Sequence, residues 1–214
     1  MRGGRQGHDF VVLMRPNNPT GDFPDLEAVL SSVGAAEAAP TRSGSPWLVV
    51  DEAFIDAWPE RSLVSRASEG LIVLRSVGKF FGLAGARAGF VAAAPGWLDA
   101  LAEALGPWTL TGPTRHVVAR ALTDRTWHVS ARAWLRVASS RLAALLTKHG
   151  LPPSGGCEFF QYCVHPDAHS LYRALAERAI LVRHFDTPQA LRFGLPGDDE
   201  GLRRLDHALA GVLA

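Results

Sequence analysis

The stretch 75–89 reads RSVGKFFGLAGARAG and carries Lys79, one of only two lysines in a chain that has twenty arginines. Arginine is a permanent cation, whereas a desolvated lysine can lose its proton, attack a carbonyl and form a Schiff base. Four glycines in this stretch let the backbone approach a ligand closely. Ser76 and Arg87 offer a hydroxyl and a planar cationic fork that suit a phosphate. The stretch therefore predicts a reactive amine beside an anion site.

The order Ser76-Val77-Gly78-Lys79, Gly82-Leu83-Ala84-Gly85 and Arg87 resembles the lysine segment of class I/II aminotransferase-like enzymes. Those enzymes have the fold type I architecture and use pyridoxal 5'-phosphate, so the resemblance implies this fold and this cofactor. It also implies that Lys79 forms the Schiff base with the cofactor aldehyde. Ser76 and Arg87 are implied to bind the cofactor phosphate.

A second segment of the same family pattern lies near the beginning of the chain. The apolar run 10–14 leads into Asn17-Asn18-Pro19-Thr20-Gly21, which indicates a buried strand that ends in a turn. Taken alone, this is an ordinary turn sequence. The resemblance implies that Asn18 forms a hydrogen bond with the phenolic oxygen of the cofactor.

The third segment is a short apolar strand, 48–50, that ends in the carboxylate of Asp51. Ligands of open α/β sheets bind at the carboxyl ends of the strands, so Asp51 is expected at a ligand site. The resemblance implies that Asp51 pairs with the protonated pyridine nitrogen of the cofactor. Glu52 should face the other way on the strand, and we interpret it as structural.

Composition describes a globular chain with an ample core, since 47% of its 214 residues are hydrophobic and its net charge is +1. This balance gives no indication of nucleic-acid binding. No apolar run reaches membrane-spanning length, and the first nine residues are too polar for a signal peptide. The two cysteines form no disulfide framework. We expect a cytoplasmic protein without a membrane or nucleic-acid partner.

Apolar runs alternate with predicted helices and indicate an α/β organisation. Runs of this kind predict a mostly parallel sheet covered on both faces. The predicted elements are strands at 10–14, 47–51, 71–75 and 88–93, helices at 24–36, 95–105, 113–123, 126–149, 168–178 and from 198, and strands at 159–164, 180–184 and 190–194. We predict a partial large α/β domain over 1–130 and a small C-terminal α+β domain over 131–214.

Length conflicts with the resemblance. Members of the resembled family are usually much longer than 214 residues, yet the first motif already lies at position 18. The large domain is therefore expected to be truncated at its N-terminus, without its first strands and a helix N-terminus that would hold the cofactor phosphate. A truncated, inactive remnant or a split-gene fragment stays open as an alternative to an enzyme.

Two arginines and a tryptophan are implied to contact the substrate. Arg192 resembles the family arginine that grips the substrate α-carboxylate through a bidentate pair. Arg183 matches an arginine that contacts the phosphate of substrates in the histidinol-phosphate aminotransferase branch. Trp108, within 106–113, resembles a segment that lines the substrate pocket.

The branch of the family is indicated by the residue three positions after Asp51. Many aminotransferases carry a tyrosine there, whereas this chain has Phe54, which has no hydroxyl. Three further stretches, 51–56, 105–113 and 191–197, resemble the threonine-phosphate decarboxylases of cobalamin biosynthesis. The resemblance implies decarboxylation of the phosphorylated amino acid L-threonine O-3-phosphate by a homodimer. Transamination of the histidinol-phosphate aminotransferase type is the alternative reaction.

A cluster of metal-binding residue types is set aside. Cys157, Cys163, His165 and His169 lie close in sequence, but their spacing is not that of a zinc knuckle and they span different elements. We expect no metal.

Overall fold

The computed structural model describes residues 10–25, 28–29, 47–67 and 70–213. The chain divides into two compact units, Met1–Asn17 with Phe23–Arg125, and Asn18–Asp22 with Thr126–Ala214. The short segment 18–22 belongs to the second unit, although the sequence prediction placed it in the first domain. The predicted domain boundary between residues 130 and 131 stays a prediction.

The described part of the first unit holds a sheet of four strands in the order β1-β2-β3-β4. These strands are β1 (Phe10–Met14), β2 (Trp47–Asp51), β3 (Leu71–Ser76) and β4 (Gly89–Ala92). The first three strands are parallel, and β4 is antiparallel to β3. Leu48, Val50 and Val73 form the core with Leu63, which explains why β2 and β3 read as continuous apolar runs. The predicted mostly parallel sheet is confirmed.

Two helices of the first unit follow β4. Helix α1 (Pro95–Leu105) begins with proline, which suits the first helical turn, and ends at Gly106 with a φ of +71°. Helix α2 (Gly112–Thr123) is capped by the Thr111 side chain, which accepts from the Thr114 backbone at 3.3 Å. The predicted helix 24–36 lies almost entirely outside the described residues.

Residues 126–213 belong to a unit that contains both helices and strands. The predicted small α+β domain over 131–214 stays a prediction. Helix α3 (Arg125–Lys148) leads into an antiparallel sheet of order β5-β6-β8-β7, formed by the fully described segment 155–194. The strands are β5 (Gly155–Cys157), β6 (Phe160–Val164), β7 (Arg183–Asp186) and β8 (Gln189–Gly194), with α4 (Ala168–Glu177) between β6 and β7 and α5 (Asp199–Ala210) after β8. The core contains Leu142, Leu146, Leu175, Leu191 and Phe193.

One strand of the second unit is displaced from its predicted position. The apolar pattern predicted a strand at 180–184, but β7 begins only at Arg183. Ala179 has a φ of +56°, which marks a turn, and Ile180 and Val182 pack against the core before strand pairing begins.

Along the described parts of the chain, no helix combines the length and apolarity that crossing a bilayer requires.

Candidate active site

Asp51 is fixed at the carboxyl end of β2. The backbone N–H of Ala53 donates to Asp51 Oδ1 at 2.9 Å, which forms a tight turn directly after the strand. Asp51 pairs in register with Leu74 on the parallel strand β3. The carboxylate therefore lies at the sheet edge where β3 also ends.

A glycine turn follows β3 and carries the lysine. The backbone N–H of Gly78 donates to Ser76 Oγ at 3.0 Å, and that of Leu83 donates to the Val77 carbonyl at 3.1 Å. A Cβ at Gly78 would approach Ser76 Oγ to 3.2 Å, so the turn has little room for a side chain there. These contacts fix the backbone on both sides of Lys79.

Lys79 itself is exposed, while Val77 and Phe80 are buried on either side of it. Its Nζ lies 5.5 Å from the centroid of the buried Phe54 ring. The two buried neighbours hold the turn against the core. The amine therefore lies on a fixed turn beside the ring of Phe54.

Arg87 lies at the same sheet edge. Gly89, the first residue of β4, pairs with Ser76, and Arg87 precedes it by two residues. Arg87 has a left-handed conformation, with φ 51° and ψ 40°, and its exposed guanidinium donates to the Ala84 carbonyl at 3.3 Å. This conformation is uncommon for a side chain with a Cβ. The first unit thus brings Asp51, Ser76, Lys79 and Arg87 to one edge of the sheet, at the carboxyl ends of β2 and β3 and just before the amino end of β4.

The second unit brings together Asn18 and Arg192. Arg192 lies on β8, and its Nη1 donates to Asn18 Oδ1. The guanidinium carbon also lies 5.1 Å from the centroid of the Phe160 ring. Burial lowers the pKa of Arg192 below its ordinary value, and the charge of Arg183 lowers it further.

Arg183 is the direct cross-strand partner of Arg192 in the β7–β8 pairing. Residues opposite each other in an antiparallel pair project from the same face, and like charges in this arrangement repel. The pair therefore forms a concentrated positive charge that an anionic ligand would stabilise.

Asn18 is held on the second unit through the backbone of its neighbours. The N–H of Gly156 donates to the Thr20 carbonyl at 2.7 Å. Gly21 has a φ of +78°, and a Cβ there would lie 1.8 Å from the Gly156 oxygen. Only glycine permits this approach, so the turn that sequence analysis identified also serves as a contact surface for β5.

Trp108 lies in the turn between α1 and α2, and 90% of its surface is exposed. The neighbouring Pro107 and Thr109 line a cavity of about 440 Å³, together with Phe90 and Arg115, but Trp108 does not. Its assignment to a substrate pocket stays a prediction.

The two cysteines are buried and free, without a disulfide bond. Burial raises the pKa of the Cys157 and Cys163 thiols to about 12. Among the residues that the structure describes, no group of three or more His, Cys, Asp or Glu side chains is placed to hold a metal ion.

Sequence reasoning missed a set of charged contacts next to these residues. Glu52, interpreted as structural, is fully buried and accepts from Ser62 and the Leu63 backbone at 2.6 Å each. Arg75 lies 3.8 Å from it. A glutamate directly after Asp51 and an arginine directly before Ser76 were the available signals, but the position of residue 62 could not be read from the sequence.

In open α/β sheets, ligands bind at the carboxyl ends of the strands. The first unit has an aspartate and a lysine turn at this edge of its sheet. The chain belongs to the family of class I and II aminotransferases, whose model matches residues 2–209. The resemblance found at the lysine segment is therefore confirmed.

Curated relatives cover most of this chain. A threonine-phosphate decarboxylase from Pseudomonas aeruginosa is 49% identical over 204 residues, which are 95% of this chain and 60% of the relative. A histidinol-phosphate aminotransferase from Paenarthrobacter aurescens is 31% identical over 191 residues, 87% of this chain and 50% of the relative.

The fold matches the histidinol-phosphate aminotransferase of Sinorhizobium meliloti, solved in complex with pyridoxal-5'-phosphate, with a TM-score of 0.81 and 22% identity. That match covers 96% of this chain and 57% of the other. This chain thus spans about three fifths of the length of the decarboxylase relative.

Proposed function

We propose that this chain provides the reactive lysine, the cofactor contacts and the substrate arginines of a pyridoxal 5'-phosphate-dependent threonine-phosphate decarboxylase. The substrate is L-threonine O-3-phosphate, and the products are carbon dioxide and aminopropanol phosphate, in cobalamin biosynthesis. The observation that carries the proposal is the 49% identity, over 95% of the chain, to the relative from Pseudomonas aeruginosa.

The residues at the sheet edge of the first unit fit this cofactor. A carboxylate for its ring nitrogen and a hydroxyl for its phosphate end β2 and β3, an amine for its aldehyde follows β3, and a guanidinium for the phosphate precedes the antiparallel β4 at the same edge of the sheet. A Cβ at residue 78 would lie 3.2 Å from Ser76 Oγ, so glycine at this position avoids crowding the hydroxyl that is proposed to bind the phosphate. When bound, the cofactor supplies an electron sink for the bond that breaks at the substrate α-carbon.

Each of these residues has a defined task in the proposed site. Lys79 Nζ would hold the cofactor through its aldehyde and would be the group that returns a proton to the substrate α-carbon. Asp51 keeps the proton on the ring nitrogen, and Ser76 and Arg87 bind the phosphate. Because Asn18 Oδ1 already accepts from Arg192, the amide nitrogen is the atom left to donate to the ring oxygen.

The paired arginines of the second unit suit a substrate with two anionic ends. Arg192 binds the carboxylate, and Arg183 binds the phosphate. Their direct opposition on β7 and β8 supports this division, since one guanidinium is available for each anion.

Transamination is the second reaction that this site can perform. Decarboxylation and transamination differ in which bond to the substrate α-carbon breaks, and a carboxylate held tightly by Arg192 would be retained while a proton is lost. The 31% identity to a histidinol-phosphate aminotransferase supports keeping this alternative. The lower identity, compared with 49% for the decarboxylase, makes it second.

An assay with both substrates separates the two reactions. The chain, supplied with pyridoxal 5'-phosphate, is given threonine phosphate or histidinol phosphate with an oxo-acid acceptor. We expect carbon dioxide from threonine phosphate. Turnover of histidinol phosphate alone would contradict the decarboxylase assignment. A remnant that cannot hold the cofactor would leave the absorption spectrum of the added cofactor unchanged. A homodimer and a cytoplasmic location remain predictions.

A further inference from the structure

Two acidic side chains are buried where β2 and β3 end. Glu52 is 0% exposed and Asp56 is 5% exposed. Burying a carboxylate is costly unless it is paired and hydrogen-bonded. Replacing buried ion pairs by apolar residues is often neutral or stabilising, so stability alone does not explain why charges occupy this place.

These acids belong to a connected set of four side chains, which we call the Glu52–Arg75 clamp: Glu52, Asp56, Ser62 and Arg75. Ser62 Oγ donates to Glu52 Oε2 at 2.6 Å, and Arg75 Nη1 donates to Ser62 Oγ at 3.1 Å. Arg75 Nη2 donates to Asp56 Oδ1. Glu52 Oε1 accepts from the Leu63 backbone at 2.6 Å. Hydrogen bonds therefore fix the clamp at Glu52 and at Asp56.

The clamp is adjacent in sequence to the proposed cofactor residues on both strands. Glu52 directly follows Asp51, and Arg75 directly precedes Ser76. The Glu52 N–H donates to the Leu74 carbonyl at 2.9 Å, which continues the β2–β3 pairing past the end of β2. Since successive side chains of a strand alternate in direction, the clamp holds the backbone from the side opposite to Asp51 and Ser76.

We propose that Glu52 and Arg75 are positioning residues, which fix the spacing between the Asp51 carboxylate and the Ser76–Lys79 turn. The expected effect on cofactor binding rests on the proposed function. The fixed spacing between the two positions does not rest on it, because that spacing is a property of the chain without a ligand. Ionic hydrogen bonds suit this role better than apolar packing does, since they specify direction as well as contact.

Two variants test the clamp and one serves as a control. Glu52→Gln keeps the size of the side chain and removes its charge. Ser62→Ala removes the hydroxyl between Glu52 and Arg75 and is the milder change. Ser139→Ala is the matched control, because its hydroxyl likewise accepts from a side chain, that of Gln161 at 2.8 Å, within the second unit.

The first measurement is amide hydrogen exchange of the chain without cofactor, under conditions where every variant is folded. The N–H groups of Ala53 and Gly78 report on the two positions, since they donate to Asp51 and Ser76. We expect both clamp variants to accelerate exchange at these amides about ten-fold, the effect of losing a charged hydrogen bond, and the control to leave them unchanged. Unchanged exchange in Glu52→Gln would overturn the proposal.

The second measurement is the affinity for pyridoxal 5'-phosphate, from an absorbance titration. We expect both clamp variants to bind about ten-fold more weakly and Ser139→Ala to bind as the unsubstituted chain does. Faster exchange with unchanged affinity would show that the clamp is structural only, which overturns a positioning role. If the unsubstituted chain binds no cofactor, the proposed function fails, and hydrogen exchange alone decides whether the clamp fixes the two positions.

Discussion

At the scale of single residues, Arg192 makes contacts with two different consequences. It stands opposite Arg183, where two positive charges on one face destabilise the sheet until an anion lies between them. It also donates to Asn18, which sets the direction of that amide. One side chain therefore links the proposed substrate contact to a proposed cofactor contact.

Replacing Arg192 should weaken substrate binding. We expect Arg192→Gln to raise KM for threonine phosphate about ten- to hundred-fold, because a charged hydrogen bond contributes about 1.5–3 kcal/mol. Arg203→Gln, which changes an exposed arginine of α5, is the control and should leave KM unchanged. Steady-state kinetics decides between the two, and an unaltered KM in Arg192→Gln would contradict the assigned contact.

Asp206 should make stability depend on pH. Its pKa is lowered from 3.8, first by the hydrogen bond with His149 and then by that with Lys148. A lowered folded-state pKa contributes stability above the unfolded value, and this contribution is lost as the pH falls below 3.8 through the folded value. Asp206→Asn should therefore lower Tm at pH 7 more than at pH 3, as read by circular dichroism. Equal decreases at both values would disprove the coupling.

At the scale of elements, a close contact between the glycines of β5 and the Thr20 carbonyl joins the segment 18–22 to this strand. Gly156 donates to the Thr20 carbonyl, and a Cβ at Gly155 would lie 2.4 Å from that carbonyl oxygen. The Thr20 oxygen belongs to the backbone, so it cannot move away from an added Cβ as the end of a flexible side chain would. The position of Asn18 therefore depends on the absence of a side chain on β5.

Gly155→Ala should displace this segment. We expect an unfolding free energy about 1–3 kcal/mol lower, as for overpacking, and a weaker affinity for pyridoxal 5'-phosphate. Gly194→Ala, at the end of β8, is the matched control, since a Cβ there meets no atom within 4 Å. Denaturant unfolding and absorbance titration would measure both effects. If the two variants behave alike, the glycine contact does not position Asn18.

Local patterns explain which elements could be predicted. The strands around Val50 and Val73 were found because continuous apolar runs indicate buried parallel strands. The strand around Val12 was found from the same kind of run, but the prediction that it is buried was wrong, since Val12 is 69% exposed. The strand expected at 180–184 was misplaced because Ile180 and Val182 are apolar for core packing and not for strand pairing. The pattern of apolar residues indicates which side chains are buried. It does not indicate which strand a segment forms hydrogen bonds with.

The same distinction applies to the candidate site. Lys79 and its neighbours were identified from a continuous stretch, and the structure places them in one turn after β3. The Arg192–Asn18 contact joins residues 174 positions apart, and only the family resemblance assigned both. The contacts of Glu52 were not predicted, because Ser62 lies in an irregular segment without a periodic pattern.

At the scale of the whole molecule, the candidate residues are divided between the two units. The first unit carries Asp51, Ser76, Lys79 and Arg87, and the second carries Asn18, Arg183 and Arg192. Each unit has its own buried core. The chain therefore contains the residues for both proposed tasks, cofactor binding and substrate binding, within three fifths of the length of the decarboxylase relative.

The central claim is that Lys79 is the amine that binds the cofactor aldehyde, and the presence of only one other lysine makes it directly testable. The chain is mixed with pyridoxal 5'-phosphate, reduced with borohydride to make the linkage permanent, and mapped by peptide mass spectrometry. Lys148→Arg is the control, and Lys79→Arg is the test. We predict a single labelled lysine at position 79, kept in the control and lost in the test variant. Label at Lys148, or no labelled lysine, would contradict the account.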